Sequence, residues 1–205
     1  MAGYIDGLYK GSSRGIGGQV NVSIIVEGGA VTDCVLTRCK ETSGIGAESG
    51  PMMANAIRDA GGTDGVETIA GSTVTSRAVL DAANQALAAA TLGYNDGAYE
   101  GTARGIGGRV DVRATFKGGE LAAFELTRNK ETNGIGFQAA PIVAKAIADA
   151  GTYEGVDVVG GATVSSRAVL EAARDAFDAA SGSTFYEAYL QEQAAIAAAD
   201  SKGGK

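Results

Sequence analysis

Two short patterns in this 205-residue chain combine residue types that could do chemistry. The first is Gly-(Ser/Ala)-Thr-Val-(Thr/Ser)-Ser-Arg. It supplies Gly71, Ser72, Thr73, Thr75, Ser76 and Arg77, and again Gly161, Ala162, Thr163, Ser165, Ser166 and Arg167. Each copy sits where a short apolar run gives way to a helical pattern. A helix N-terminus exposes unpaired N–H groups and a partial positive charge, and it holds a phosphate where the approaching backbone is bare of side chains. Gly71 and Gly161 give that access, Thr73 and Thr163 stand about where an N-cap belongs, and the hydroxyls that follow add donors. Arg77 and Arg167 would add a cation where the helix dipole disfavours one unless an anion is bound. An ordinary threonine N-cap explains the same residues, and physics alone leaves both readings open.

The second pattern is Glu-Thr-x-Gly-Ile-Gly, present as Glu41, Thr42, Gly44, Ile45 and Gly46 and as Glu131, Thr132, Gly134, Ile135 and Gly136. Two glycines around an isoleucine suit a loop whose backbone approaches a flat ligand while the isoleucine packs on it. Glutamate and threonine then offer an acceptor and a donor to a polar ring edge. A third stretch, Arg-Gly-Ile-Gly-Gly beginning at Arg14 and Arg104, is explained equally well by a bulge or a tight strand entry.

All three patterns occur twice, 90 residues apart, as part of a repeat that matches over residues 4–90 and 94–180. A unit of that length is too long for the usual solenoid periods and fits a tandem duplication. Core positions have drifted between the copies, Ile24, Ile25 and Val26 becoming Ala114, Thr115 and Phe116, while the loop glycines, threonines, arginines and glutamates stay fixed. Loops are where functional residues concentrate. Cys34 and Cys39 align with Phe124 and Asn129, so neither belongs to the shared chemistry. Five residues apart on one strand, they are expected on opposite faces, unbridged, with Cys34 buried.

The elements that must position these patterns follow from periodicity. Residues 19–26 alternate and then run apolar as a strand, Gly28 and Gly29 supply a hairpin turn, and residues 30–39 return. A short strand over residues 4–9 joins the ribbon. From Pro51 the spacing of Met52, Met53, Ala56, Ile57 and Ala60 predicts a helix, with proline in its first turn and Gly61 and Gly62 at its end. Residues 66–69 read as a short strand and residues 73–90 as a second helix that buries Ala78, Val79, Ala82, Ala83, Ala86 and Leu87. The order β-β-β-α-β-α makes each unit an α+β domain with helices on one face of a mainly antiparallel sheet. The expected division is residues 1–91, 92–181 and a C-terminal piece 182–205. That last piece holds a helix over residues 185–200, docked on a domain or leading to a neighbour, and a disordered end.

Composition narrows the possible functions. A net charge of −7 without a Lys/Arg cluster argues against nucleic acid as a partner, because phosphate binding needs a basic face. The chain has no histidine, which removes the commonest general base and metal ligand and any Cys-x-x-Cys-His haem site. No metal site and no set of residues for substrate turnover is evident. The apolar runs are too short to span a bilayer, and no leader is evident after Met1, so a signal or anchor would lie outside this chain.

Together the first two patterns resemble the FMN-binding domains in the flavin subunits of the sodium-pumping NADH:quinone oxidoreductase and of Rnf-type complexes. The family's attachment motif reads approximately Asp-x-x-Ser/Thr-Gly-Ala-Thr-x-Thr/Ser-Ser. Asp157, Gly161, Ala162, Thr163, Ser165 and Ser166 match it, and Gly160 departs from it. The first copy departs further, with Glu67, Ala70 and Ser72 at the matching positions. The resemblance implies two FMN groups joined by phosphoester bonds to Thr73 and Thr163, installed by a flavin transferase of the ApbE type. It further implies a ring lying against the Glu-Thr-x-Gly-Ile-Gly segments. An extracytoplasmic electron carrier would follow, serving redox donor and acceptor proteins or a quinone-linked membrane complex. Two other readings remain: redox domains of a larger flavin-dependent, fumarate-reductase-like oxidoreductase, and a structural or binding repeat without flavin.

Overall fold

A computed structural model of the chain describes residues 4–39, 45–131 and 134–203, with side chains over the same residues except 45–47 and 196–203. Glu41, Thr42, Gly44 and Thr132 lie outside the described residues, as do Lys40 and residues 204–205.

The first unit opens with an antiparallel meander, β1 (Gly7–Arg14), β2 (Gln19–Glu27) and β3 (Ala30–Cys39), in spatial order β1-β2-β3. Gly28 and Gly29 both take left-handed φ, +62° and +77°, as the tight turn between twisted strands demands. Asp6 accepts hydrogen bonds from both of their N–H groups, at 3.0 and 2.8 Å. The helices α1 (Ile45–Ala60) and α2 (Thr73–Leu92) follow. The second unit, Asp96–Ser181, repeats this plan. Its sheet is β4 (Gly97–Arg104), β5 (Arg109–Lys117) and β6 (Glu120–Asn129), and its helices are α3 (Ile135–Ala150) and α4 (Thr163–Ala180).

Each core lies between the sheet and the two helices. In the first unit Tyr9, Val20, Val22, Ile24 and Val26 meet Met53 and Ile57 of α1 and Ala78, Val79, Ala82, Ala83 and Ala86 of α2. The alanine face lets α2 lie directly on β1: a Cβ on Gly11 would stand 1.9 Å from the Ala82 carbonyl oxygen. Gly101 and Ala172 repeat the contact at 1.8 Å.

The core drift between copies conserves packing. Ala114 takes the buried place of Ile24, while Phe116, replacing Val26, meets Phe177 edge to face with ring centroids 5.0 Å apart. A close-packed interior tolerates such exchange when volume is kept.

Several expectations are corrected. Residues 66–69 and their counterparts 156–159 form no strand, because their N–H groups bond elsewhere: Val66 to the Thr63 carbonyl and Ile69 to the Ser76 hydroxyl. The order within each unit is therefore β-β-β-α-α, still α+β. α1 and α3 start six residues before their prolines, so Ile45-Gly46 and Ile135-Gly136 open helices and do not lie in loops. Pro141 inside α3 cannot donate to the Phe137 carbonyl, and the Asn129 side chain does so instead, at 3.1 Å.

Cys34 and Cys39 form no disulfide and Cys34 is buried, but they do not point to opposite faces. Val22 pairs with Leu36 and Asn21 with Arg38, so Thr37 is an extra residue that resets the alternation and turns Cys39 back toward the core with Cys34. Burial, with Asp33 adding to it, pushes the Cys34 thiol up to about 12.

The C-terminal helix α5 (Gly182–Gly203) joins the first unit. It extends through residues 201–203, where disorder was expected. α5 packs on β1, and Leu8 and Lys10 of β1 with Ser23 of β2 face Phe185, Ala188 and Tyr189 across one groove. The Lys10 ammonium sits 4.5 Å above the Phe185 ring, and the Tyr186 hydroxyl donates to Glu27.

Candidate functional site

The loop before α4 is held by its own backbone and by one serine. Ala162 donates to the Val159 carbonyl at 3.0 Å across a turn whose third residue, Gly161, has φ +79°, the position of a type II turn that favours glycine. Val159 donates to the Ser166 hydroxyl at 3.0 Å. The first unit matches: Ser72 donates to Ile69 at 3.0 Å, Gly71 has φ +81°, and Ile69 donates to Ser76 at 3.1 Å. Ser76 and Ser166 are fully buried in this role. Their hydroxyls shape the loop and are not the open donors that the sequence suggested.

The caps of α2 and α4 are Ser72 and Ala162, so Thr73 and Thr163 sit one residue inside, at the first helical position. That corrects the N-cap placement and its consequence. A threonine capping a helix spends its oxygen on a backbone N–H, whereas both threonines here are exposed and neither hydroxyl bonds to any described residue. Neither helix has a side-chain cap or an acidic residue in its first turn. The dipole and the free N–H groups are left for an external anion. A Cβ at Gly71, Gly160 or Gly161 would meet nothing within 4 Å, so the approach to each threonine is open. Arg77 and Arg167 lie one helical turn on and are exposed. Arg167 lines an open groove of about 340 Å³ with Tyr153 and Arg174. Asp157 is exposed in the loop.

Ser72, which departs from the alanine of the second copy, is buried and bonded to Ser49 at 2.6 Å. The matching pair in the second unit is Ala139 and Ala162, both buried. Two buried hydroxyls in one copy stand where the other has two buried methyls, so the difference is one of packing beneath the threonine.

In the second unit the other landmark closes on this helix start. Glu131 is only 7% exposed; its Oε2 accepts from the Gly107 N–H at 3.1 Å, and its Oε1 is buried with no hydrogen-bond partner among the described residues. Gly134 caps α3 at φ +122° and ψ −141°, a conformation essentially confined to glycine. A Cβ on Gly136 would stand 2.6 Å from the Ser165 hydroxyl and 3.6 Å from Glu131 Oε2. The first turns of α3 and α4 are thus in contact through a glycine, with Glu131 beside both. Ile135 (62% exposed), Val164 and Ile106 present apolar surface from the same three segments. In the first unit Thr75 is buried like Ser165. The backbone of Ile45 and Gly46 opens α1 as Ile135 and Gly136 open α3.

A helix start stripped of cap and carboxylate, next to a buried carboxylate with one unpaired oxygen, fits a ligand that joins an anionic group to a flat ring bearing a donor. The family model of the FMN-binding domain matches residues 15–88 and again residues 105–185. The chain belongs to the FMN-binding domain family. Both copies are therefore units of that family, and its cofactor fits the residues present. The chain is also 35% identical over 91 residues to the NADH:acrylate oxidoreductase of Vibrio harveyi, a match covering 44% of this chain and 9% of that protein. It is 38% identical over 82 residues to the urocanate reductase of Eggerthella lenta, covering 40% of this chain and 13% of that protein. The chain thus spans only a small part of the length of these relatives.

The site has members that sequence reasoning missed. The Arg-Gly-Ile-Gly-Gly stretch, which a bulge or a strand entry explains equally well in sequence, bonds Glu131 directly through Gly107. Its unchanged recurrence at both copies was the available signal. Asn129, which braces α3, carried none, because the first copy has cysteine there.

Proposed function

We propose that each unit carries FMN on a threonine, Thr73 in the first and Thr163 in the second, and that the chain relays electrons between partner proteins. The observation that carries this reading is the exposed threonine hydroxyl, without a hydrogen bond to any described residue, at the first position of a helix with no side-chain cap and no acidic first turn. The phosphate would rest on the N–H groups of that turn, with Arg77 or Arg167 nearby. Glu131, Gly134 and Gly136, with Glu41, Thr42, Gly44 and Thr132 in the matching segments, would face the ring.

Attachment by a flavin transferase of the ApbE type forms the bond from threonine Oγ1 to phosphorus as the bond from phosphorus to the leaving group of an activated flavin nucleotide breaks. The hydroxyl proton is lost to the solvent, and no electron changes hands. When bound, FMN supplies one- and two-electron redox chemistry. The protein retains the group, keeps its ring against a fixed carboxylate and backbone dipoles, and offers no residue set for turnover among those described. Tethering suits a place where lost FMN cannot be replaced, which is why we assign the natural protein to the outside of the cytoplasm.

A second reading makes these units the redox domains of a longer flavin-dependent oxidoreductase. The small fraction of each relative that the chain covers, 9% and 13%, favours it. Under either reading, intact mass after co-expression with a flavin transferase should show two FMN additions, one lost in Thr163→Ala and one in Thr73→Ala. A mass unchanged by Thr163→Ala would overturn the assignment.

A further inference from the structure

We infer that the glycine turn at residues 105–108 is a working part of the second flavin site, with Gly105 and Gly107 acting as positioning residues for the Glu131 carboxylate. The turn closes on itself through the Gly105 N–H and the Gly108 carbonyl at 2.8 Å. Its inner face takes the end of Glu131. A Cβ on Gly105 would stand 1.4 Å from Oε1 and 2.6 Å from Cδ, while the Gly107 N–H donates to Oε2 at 3.1 Å. Gly105 has no left-handed φ to require glycine. The bare α-carbon is needed for the space that the carboxylate occupies.

The carboxylate so placed is buried and lies beside Gly136 and Ser165 at the starts of α3 and α4. Oε1 is left without a partner among the described residues. Burying an unsatisfied carboxylate oxygen is costly, and a turn built around that arrangement implies a donor that arrives with the ligand. On the flavin reading, which this inference rests on, the donor is a polar group on the ring edge, and the turn fixes the negative charge that the ring experiences. The first unit has the same closure, Gly15 N–H to Gly18 carbonyl at 2.8 Å.

The test uses the full chain with Thr73→Ala, so that only the second site is loaded, and compares the parent with Gly105→Ala, Glu131→Gln and the double variant. The group a new Cβ would meet is the end of a flexible side chain, so Gly105→Ala should fold, take FMN by mass and melt near the parent temperature. Its flavin midpoint potential should shift upward, in the direction of Glu131→Gln, because a negative charge has left the site. The double variant should match Glu131→Gln alone. A Gly105→Ala potential equal to the parent's, or a double shift equal to the sum of the singles, would overturn the inference. If Gly105→Ala fails to fold, Gly105→Ala with Glu131→Ala must restore folding; failure to do so shows that the glycine serves the backbone and sinks the idea. A parent without an FMN addition removes the flavin reading itself, and mass reports this separately from the potential.

Discussion

At the scale of single residues, the site depends on which hydroxyls are spent and which are left over. Four hydroxyl residues crowd the start of α2, yet Ser72 is bonded to Ser49, Ser76 to the loop, and Thr75 is buried, so that Thr73 is the one of the four that faces outward with no bond to a described residue. The Ser49 and Ser72 pair gives a sharp prediction. Ser49→Ala strands the buried Ser72 hydroxyl, which costs about 1–3 kcal/mol, and adding Ser72→Ala removes the stranded group. Urea unfolding should therefore show Ser49→Ala less stable than the Ser49→Ala, Ser72→Ala double, which reproduces the alanine pair of the second unit. A double variant less stable than the single would contradict the assignment.

At the scale of elements, the turn of the β2–β3 hairpin is anchored by a carboxylate. The Gly29 N–H, and then that of Gly28, hold the Asp6 carboxyl below its usual value. A group whose folded pKa is depressed contributes stability above its unfolded value, near 3.9, and loses it as pH falls through the folded value. Asp6→Asn should melt below wild type at neutral pH, with the gap constant down to about pH 5 and closing below about pH 4. A gap independent of pH across that range would rule out the carboxylate as its cause.

Strands and hairpin turns were legible from alternation and paired glycines. The starts of α1 and α3 were not: proline reads as a first-turn residue and the Gly-Ile-Gly segments as loops, and the tertiary bond from Asn129 shows how α3 runs through Pro141. The failure at residues 66–69 has a similar origin, since an apolar run of four residues is a strand only if another strand accepts its N–H groups.

At the scale of the whole molecule, α5 explains a difference between the sheets. Leu8 and Ile25, paired across β1 and β2, are each 5% exposed, whereas their counterparts Ala98 and Thr115 stand at positions with more solvent. Leu8 is buried on the outer face of the first sheet because a helix from the far end of the sequence returns to cover it. Burying a large apolar side chain fully is worth about 1.5–3 kcal/mol. Ending the chain at Ser181 should accordingly cost the first unit several kcal/mol, read as faster hydrogen exchange in β1 and β2 and a lower melting transition. Unchanged protection there would show that α5 is dispensable.

The repeat, the α+β class, the hairpins and the two motifs that bear the threonines were determined by sequence alone, because local periodicity and recurrence at a fixed offset need no third dimension. The tertiary structure decided the rest: that the threonines lie inside their helices with no bond to a described residue, that a strand bulge turns Cys39 toward the core, that Asn129 braces α3, that the glycine turn reaches Glu131, and that α5 belongs to the first unit. Each of these depends on which group meets a donor, an acceptor or a bare α-carbon many residues away. Such a meeting leaves no periodic trace along the chain.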